Sequence, residues 1–186
     1  MEKSRDTGIL VDPWGSSLIE DYGSLIKEFG LEQFSPTVMP VPNRLMRRHV
    51  VFACRDIAQI VQAMRKKEKF YVLTGIQPSG ERIHFGTKAI IENVRYFQER
   101  GAVAYISIAD LESAATRDLP LKEARERALG FHIPAYLTLG LDPKRTFFYF
   151  QSENKQVMNL VFKFSAKVTH NEFRSIYGSP DPEKIL

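Results

Sequence analysis

The run "AVAYISIAD", residues 102–110, limits the fold more than any other stretch. It is apolar without the polar alternation of a half-solvated strand, and a strand of that kind belongs in a parallel sheet covered on both faces by helical crossovers. Its surroundings agree. "FYVLTG" (70–75) is a short apolar strand that stops at Gly75, and "TKAIIENVRYFQERG" (87–101) carries Ile90, Ile91, Val94 and Phe97 at helical spacing and ends at Gly101. Further on, "PLKEARERALGFHIPAYLTLG" reads as a helical region that Pro134 kinks or breaks, because proline removes a donor and clashes with the preceding turn. "TFFYFQSE" is a third strand and "NLVFKFSAKV" a further helix or extended segment. "THNEFRSIYG" begins with Thr169 and Glu172 in capping-box spacing and ends at a glycine. Strand and helix in alternation imply an α/β unit with a parallel sheet and right-handed crossovers.

Residues 1–69 differ from the rest: "DPWG", "FSPTVMPVPNRLMRRHV" and "RKKEK" are rich in proline and charge. Two short amphipathic helices fit there, one with Leu25, Ile26 and Phe29 on its apolar face and one with Ile57, Ile60, Val61 and Met64. Each follows an aspartate, Asp21 or Asp56, able to cap its start. The expected organisation is an appendage, 1–69, packed on a catalytic unit, 70–186, with Trp14 as an anchor of the appendage. A chain of 186 residues is long enough for one domain with a real core. No apolar run approaches the roughly 20 residues that cross a bilayer, and "MEKSRD" leads into no signal-peptide core, so the expected location is the cytoplasm, away from membranes. The single cysteine, Cys54, excludes an internal disulfide framework and a multi-cysteine zinc site; in "HVVFACRD" it reads as a buried structural thiol. A net charge of +4 permits an anionic partner such as nucleotide or RNA without demanding one.

Parallel sheets of this kind take their ligands outside the carboxyl ends of the strands, here segments 74–80, 109–112 and 151–154. The first opens "TGIQPSGERIHFGTKAII" (74–91). It is no Walker loop, since no Lys-Ser or Lys-Thr follows Gly80 or Gly86 at that spacing, and Gly75, Gly80 and Gly86 lie too far apart for a dinucleotide fingerprint. What remains is a loop followed by H-x-G at a helix start. Backbone N–H groups there attract phosphate, glycine admits a phosphate or a flat base, and a histidine one step earlier donates to a phosphoryl oxygen as charge builds. The plain alternative is a glycine-rich turn with a surface histidine. Asp110 and Glu112 at the second strand end are either a carboxylate pair facing substrate or caps of the next helix, and "RLMRR" (44–48) is either a solvated face or a face toward nucleotide or tRNA. His132, beside Phe131, reads as a packed or surface residue, and His170 as part of a helix start.

"PSG" followed by "HFGT" resembles the HIGH signature region of class I aminoacyl-tRNA synthetases, and "TGIQPSG" is the form of the tryptophanyl and tyrosyl members. "DPWG", "DYGSLIKEFG", "RRHVVFACRD", "IADLESAATRDLP", "LGLDPKRTFFYFQSE" and "KVTHNEFRSIYG" occur in this order in tryptophanyl-tRNA synthetases of archaeal and eukaryotic type, so the resemblance covers nearly the whole chain. It implies an incomplete Rossmann-like (HUP-type) α/β domain with an N-terminal helical and hairpin appendage. It also implies activation of tryptophan by ATP, accompanied by Mg2+ as a substrate complex, and transfer to tRNA(Trp) by a homodimer, with no resident metal. By the same resemblance Gln77, Pro78, Ser79, Gly80, His84, Gly86 and Thr87 bind ATP, with His84 and Thr87 at the catalytic position. Leu73, Gly75, Ser107, Ala109, Asp110, Glu112 and Gln151 line the amino-acid pocket.

The sequence departs from the family pattern in two places. Thr87 replaces the second signature histidine, and Leu73 and Ser107 stand where eukaryotic members place a tyrosine and a glutamine against the indole N–H. Either Glu112, Gln151 or Ser107 supplies that acceptor by another geometry, or the amino acid differs. No KMSKS-type lysine loop and no anticodon domain follow "SPDPEKIL", so the chain reads as an N-terminal portion of a longer enzyme, a poor catalyst alone. A tyrosyl-tRNA synthetase, a non-catalytic nucleotide- or tRNA-binding module and a pantetheine-phosphate adenylyltransferase are the alternatives.

Overall fold

A computed structural model of the chain describes residues 22–169. Its centre is a parallel sheet of β3 (Tyr71–Ile76), β4 (Val103–Ile108) and β5 (Thr146–Phe150), in that spatial order, with Leu73 beside Tyr105 and Tyr105 beside Phe147. A smaller antiparallel pair, β1 (Glu32–Gln33) with β2 (Ala53–Cys54), lies in the N-terminal segment between α1 (Tyr22–Glu28) and α3 (Ile57–Lys66). The first crossover of the parallel sheet is α4 (Phe85–Gln98); the second contains α5 (Asp110–Arg117), α6 (Leu121–Arg127), a π turn (Ala128–His132) and α7 (Ile133–Thr138). α8 (Lys155–Ser165) settles the choice left open for "NLVFKFSAKV" in favour of helix, capped by Asn154, whose side chain accepts from the Val157 N–H at 3.1 Å.

The sheet is covered on one face. Ile76, Ala104, Ile106, Ile108 and Phe150 form a core with Ile91 and Val94 of α4 and with Ala128, Tyr136 and Leu141. The opposite face differs from the expectation of two covered faces. Tyr71 is 60% exposed, Leu73 67%, Phe147 52% and Tyr105 36%, and no element among the described residues packs over them. The reason is topological: both crossovers move in the same direction along the sheet, and with one handedness both place their helices on the same side.

Several local expectations also change. β3 runs one residue past Gly75, and α4 starts at Phe85, two residues before Thr87. On α4 the inward face is Ile91, Val94 and Gln98, while Ile90 is half exposed. Gln98 is buried because its amide is fully used: Nε2 donates to the Arg145 carbonyl at 3.0 Å and Thr146 Oγ1 at 2.9 Å, and Oε1 accepts from the Asp142 N–H at 3.1 Å. Gly101 ends this crossover at φ +103°, a left-handed conformation that glycine adopts without steric cost. Asp56 does not cap α3 with its side chain; it sits at φ 52° with no cap bond. Pro134 does not end the helical region: the π turn immediately before it takes up the changed hydrogen bonding, and α7 runs on to Thr138.

The segment before the parallel sheet packs on α4. Phe34, Met39, Met46 and Val61 join Tyr96 in a second buried cluster, with Cys54 partly buried at its margin. Burial, and then the Glu32 carboxylate, push the Cys54 thiol up, although the side chain is only partly buried where the sequence suggested a fully buried thiol. Arg44 of α2 (Arg44–Arg47) forks onto Glu92 through two bonds of 2.8 Å, and Asn43 donates to Asn93 Oδ1 at 2.9 Å. The expected role of Trp14, the Asp21 cap, the Thr169–Glu172 capping box and His170 involve residues outside those described. No described helix is long and apolar enough to cross a membrane.

Candidate active site

The three strand ends expected to carry chemistry meet at one edge. The Ala109 N–H donates to the Ile76 carbonyl at 2.7 Å, which closes β3 against β4. Asp110, 2% exposed, closes β4 against β5: Oδ1 accepts from the Ser152 N–H at 3.1 Å and from the Leu111 N–H at 3.1 Å, and Oδ2 takes the Ser152 hydroxyl. Its carboxylate therefore both opens α5 and ties the edge together. Gln151 begins a 3-10 turn (Gln151–Glu153) directly after β5, half-buried at the same edge. Glu112, also half-buried, lies in the first turn of α5.

The loop after β3 is held by its neighbours. Pro78 is fully buried, Gln77 donates to Thr116 Oγ1 of α5 at 2.9 Å, and the Arg127 guanidinium donates to the Ser79 carbonyl. Ser79 and Gly80 remain exposed. His84 then caps α4. Its Nδ1 accepts from the Thr87 N–H at 3.4 Å, and Nε2 lies 3.3 Å from Thr87 Oγ1. The first of these bonds assigns the tautomer: with Nδ1 an acceptor, the proton of a neutral ring is on Nε2, which makes Nε2 the donor. A Cβ on Gly86 would stand 3.0 Å from His84 Cε1 and 3.1 Å from Nδ1, so the missing side chain lets the ring fold back over its own helix. Behind this cap is the dipole of a 14-residue helix, a setting that favours an anion.

Of the residues assigned to the amino acid by resemblance, Leu73, Gly75 and Ser107 fall on the bare face of the sheet, whereas Ala109 and Asp110 are buried just past the end of β4. Leu73, Gly75 and Ser107 point the same way as Tyr105, Phe147 and Tyr149, and Gly75, Ser107 and Tyr149 share one register row. Tyr105 stacks on Phe147 with centroids 5.3 Å apart and planes 20° apart, and Tyr71 lies 5.8 Å from Tyr105. Sequence reasoning missed this aromatic row. The signal was available, since Tyr71, Leu73 and Gly75 are spaced by two, but without the topology nothing said which face would be open. His132 was also missed as a neighbour of the site. It is buried at 5% exposure with neither ring nitrogen hydrogen-bonded. Burial pushes its pKa down, with Arg127 acting the same way, while the Gly80 backbone and Glu81 oppose them. Among the described residues no group of three or more His, Cys, Asp or Glu side chains is arranged to hold a metal ion.

The chain is similar to known proteins. The family model of class I tRNA synthetases (W and Y) matches residues 65–184. The tryptophan–tRNA ligase of Aeropyrum pernix is 39% identical over 184 residues, 95% of this chain and 49% of that protein. The chain belongs to the class I tRNA synthetases. A second relative of this synthetase chain, the tryptophan–tRNA ligase of Thermoplasma volcanium, is 41% identical over 95% of the chain and 40% of that protein. In structure, the synthetase chain superposes on the tryptophanyl-tRNA synthetase of A. pernix K1 with a TM-score of 0.75 and 37% identity, covering 89% of this chain and 47% of the other. It superposes on the tryptophan-bound enzyme of Encephalitozoon cuniculi with a TM-score of 0.75 at 26% identity, covering 89% of this chain and 51% of the other. The synthetase chain thus spans half or less of the length of these two ligases.

Proposed function

We propose that this chain is the part of a tryptophan–tRNA ligase that receives ATP and tryptophan. The observation that carries the reading is that the His84 cap follows β3 at its carboxyl end, where Gly75 and Ser107 bring up the open face that also bears Leu73, in a chain whose relatives are tryptophan–tRNA ligases. ATP, as its magnesium complex, lies over the start of α4, with Gln77, Ser79, Gly80, Gly86 and Thr87 around it and Pro78 fixing the loop from below. His84 Nε2 gives up its contact with Thr87 Oγ1 and donates to a phosphoryl oxygen.

A tryptophan carboxylate oxygen attacks the α-phosphorus, pyrophosphate leaves, and the adenylate is then esterified by the 3′ terminal hydroxyl of tRNA(Trp). The protein's share is position and charge: a fixed donor and a helix terminus aimed where negative charge develops. Thr87, in the place of a second histidine, supports the cap and adds one hydroxyl. The amino acid lies against the aromatic face, where Ser107, Glu112 and Gln151 offer acceptors for an indole N–H. A cytoplasmic homodimer is part of this reading.

The test is amino-acid-dependent ATP–pyrophosphate exchange by the complete gene product that contains this chain. Tryptophan should drive it, and His84→Ala should lower it by about 10²-fold or more, the scale for loss of an aligned transition-state donor. Exchange driven by tyrosine would move the assignment to a tyrosyl enzyme. No exchange with any amino acid, in a protein that still binds ATP, would make it a binding module.

A further inference from the structure

His132 is expensive for what it does in the free protein. It sits in the π turn between α6 and α7, 5% exposed, edge-on to Phe131 at 5.2 Å and to Tyr136 at 6.5 Å, with both ring nitrogens unpartnered. A buried polar ring without hydrogen bonds is less stable there than an apolar side chain of similar shape, so an unpaired donor in a well-packed place asks for a state in which it is paired. The groups that face it are few: the Gly80 backbone, the Arg127 guanidinium and the Glu81 carboxylate. Arg127, itself held by Glu123, already grips the Ser79 carbonyl. An open cleft of about 530 Å³ separates the rest of this loop from α6, lined by Ser79, Gly80, Glu81, Glu123, Glu126 and Arg127. Residues 77–79 are therefore held, while Gly80 and Glu81 border open space. A π turn is also a local irregularity found often at functional sites.

We propose that His132 is a positioning residue for the nucleotide loop: when residues 79–81 fold down on bound ATP, the contact between the imidazole and the Gly80 backbone, not well formed in the free protein, tightens into an N–H donation to the Gly80 carbonyl. The inference rests on the nucleotide reading of that loop. It makes loop closure and ATP binding mutually reinforcing, and it leaves the amino-acid pocket untouched.

The experiment compares wild type, His132→Phe and His132→Gln in the complete gene product, by thermal melting with and without ATP and magnesium and by the KM for ATP and for the amino acid. Without ATP, His132→Phe should melt at the same temperature as wild type or higher, since it removes an unpaired polar group. With ATP its stabilisation should shrink, and its KM for ATP should rise about five- to tenfold, the scale of one net hydrogen bond, with the amino-acid KM unchanged. His132→Gln, which keeps an N–H, should restore much of the ATP effect. A lower melting temperature without ATP, joined to an unchanged ATP response, would make His132 an ordinary core residue and overturn the proposal. An absent ATP response in wild type would instead remove the nucleotide reading on which it stands. Should His132→Phe fail to fold, His132→Leu carries the same comparison.

Discussion

The two faces of the parallel sheet are both largely apolar, yet one is core and the other is left bare by the described residues. Ile76, Ala104, Ile106 and Ile108 lie against α4 and the 128–141 region at 0 to 3% exposure, while Leu73 and Phe147, on the opposite face of the same sheet, are more than half exposed. Period-two alternation distributes side chains equally to both sides, and only the helices decide which side becomes interior. The residues proposed to meet the amino acid, Leu73, Gly75 and Ser107, belong to the bare side, opposite the residues that form the core.

That separation predicts a graded series. Ile106→Ala empties a position at 0% exposure and should cost about 2–5 kcal/mol in urea denaturation, whereas Leu73→Ala should stay within about 0.5 kcal/mol. Equal costs would show that the bare face is covered in solution and break the comparison. The edge where the two faces meet comes next. Asp110→Ala leaves the Ser152 and Leu111 N–H groups without their acceptor and should cost about 1–3 kcal/mol. A double-mutant cycle with Ser152→Ala checks it, because a purely local helix cap would show no coupling across the strands.

The start of α4 gives a smaller effect with an unusual sign. Exposed helical Gly→Ala changes normally stabilise by about 0.5–1 kcal/mol, but at Gly86 the new Cβ meets the His84 ring at 3.0 Å and displaces the cap, itself worth about 1 kcal/mol. Gly86→Ala should therefore melt at or below the wild-type temperature, and a clear gain would show that the cap is dispensable. The smallest effect lies on the outer side of α4. The Arg44 fork holds the Glu92 carboxyl below the usual range, chiefly by hydrogen bonding. A depressed folded-state pKa contributes stability above the ordinary carboxylate value, and that contribution is lost as pH falls through the depressed one. Arg44→Ala should flatten this acid limb slightly while leaving neutral-pH stability nearly unchanged. An acid limb identical to wild type would mean that the fork does not persist in solution.

Much of this architecture is carried by neighbours in the sequence. The strands at β3, β4 and β5, the helix that ends before Gly101, and the H-x-G helix start follow from spacing, glycine placement and the absence of polar alternation. Gln98 and Asp110 show where such reading stops. A buried glutamine looks like an error in an apolar stripe until Arg145, Thr146 and Asp142 arrive to bond it from 44 to 48 residues away. Asp110 was open between substrate contact and helix cap, and the Ser152 N–H, 42 residues on, adds a third use that no local pattern contains.

The sequence by itself determined the α/β alternation, because it depends on residues a few positions apart whose periodicity and turn chemistry are local, and the family, through motifs that keep their order along nearly the whole chain. Only the tertiary structure decided which sheet face would be bare, that His84 folds back over Gly86 onto Thr87, and that His132 would lie buried beside Gly80. Those are contacts chosen by crossover handedness and by packing between distant segments, and the chain acquires them only when the helices settle on one side of the sheet.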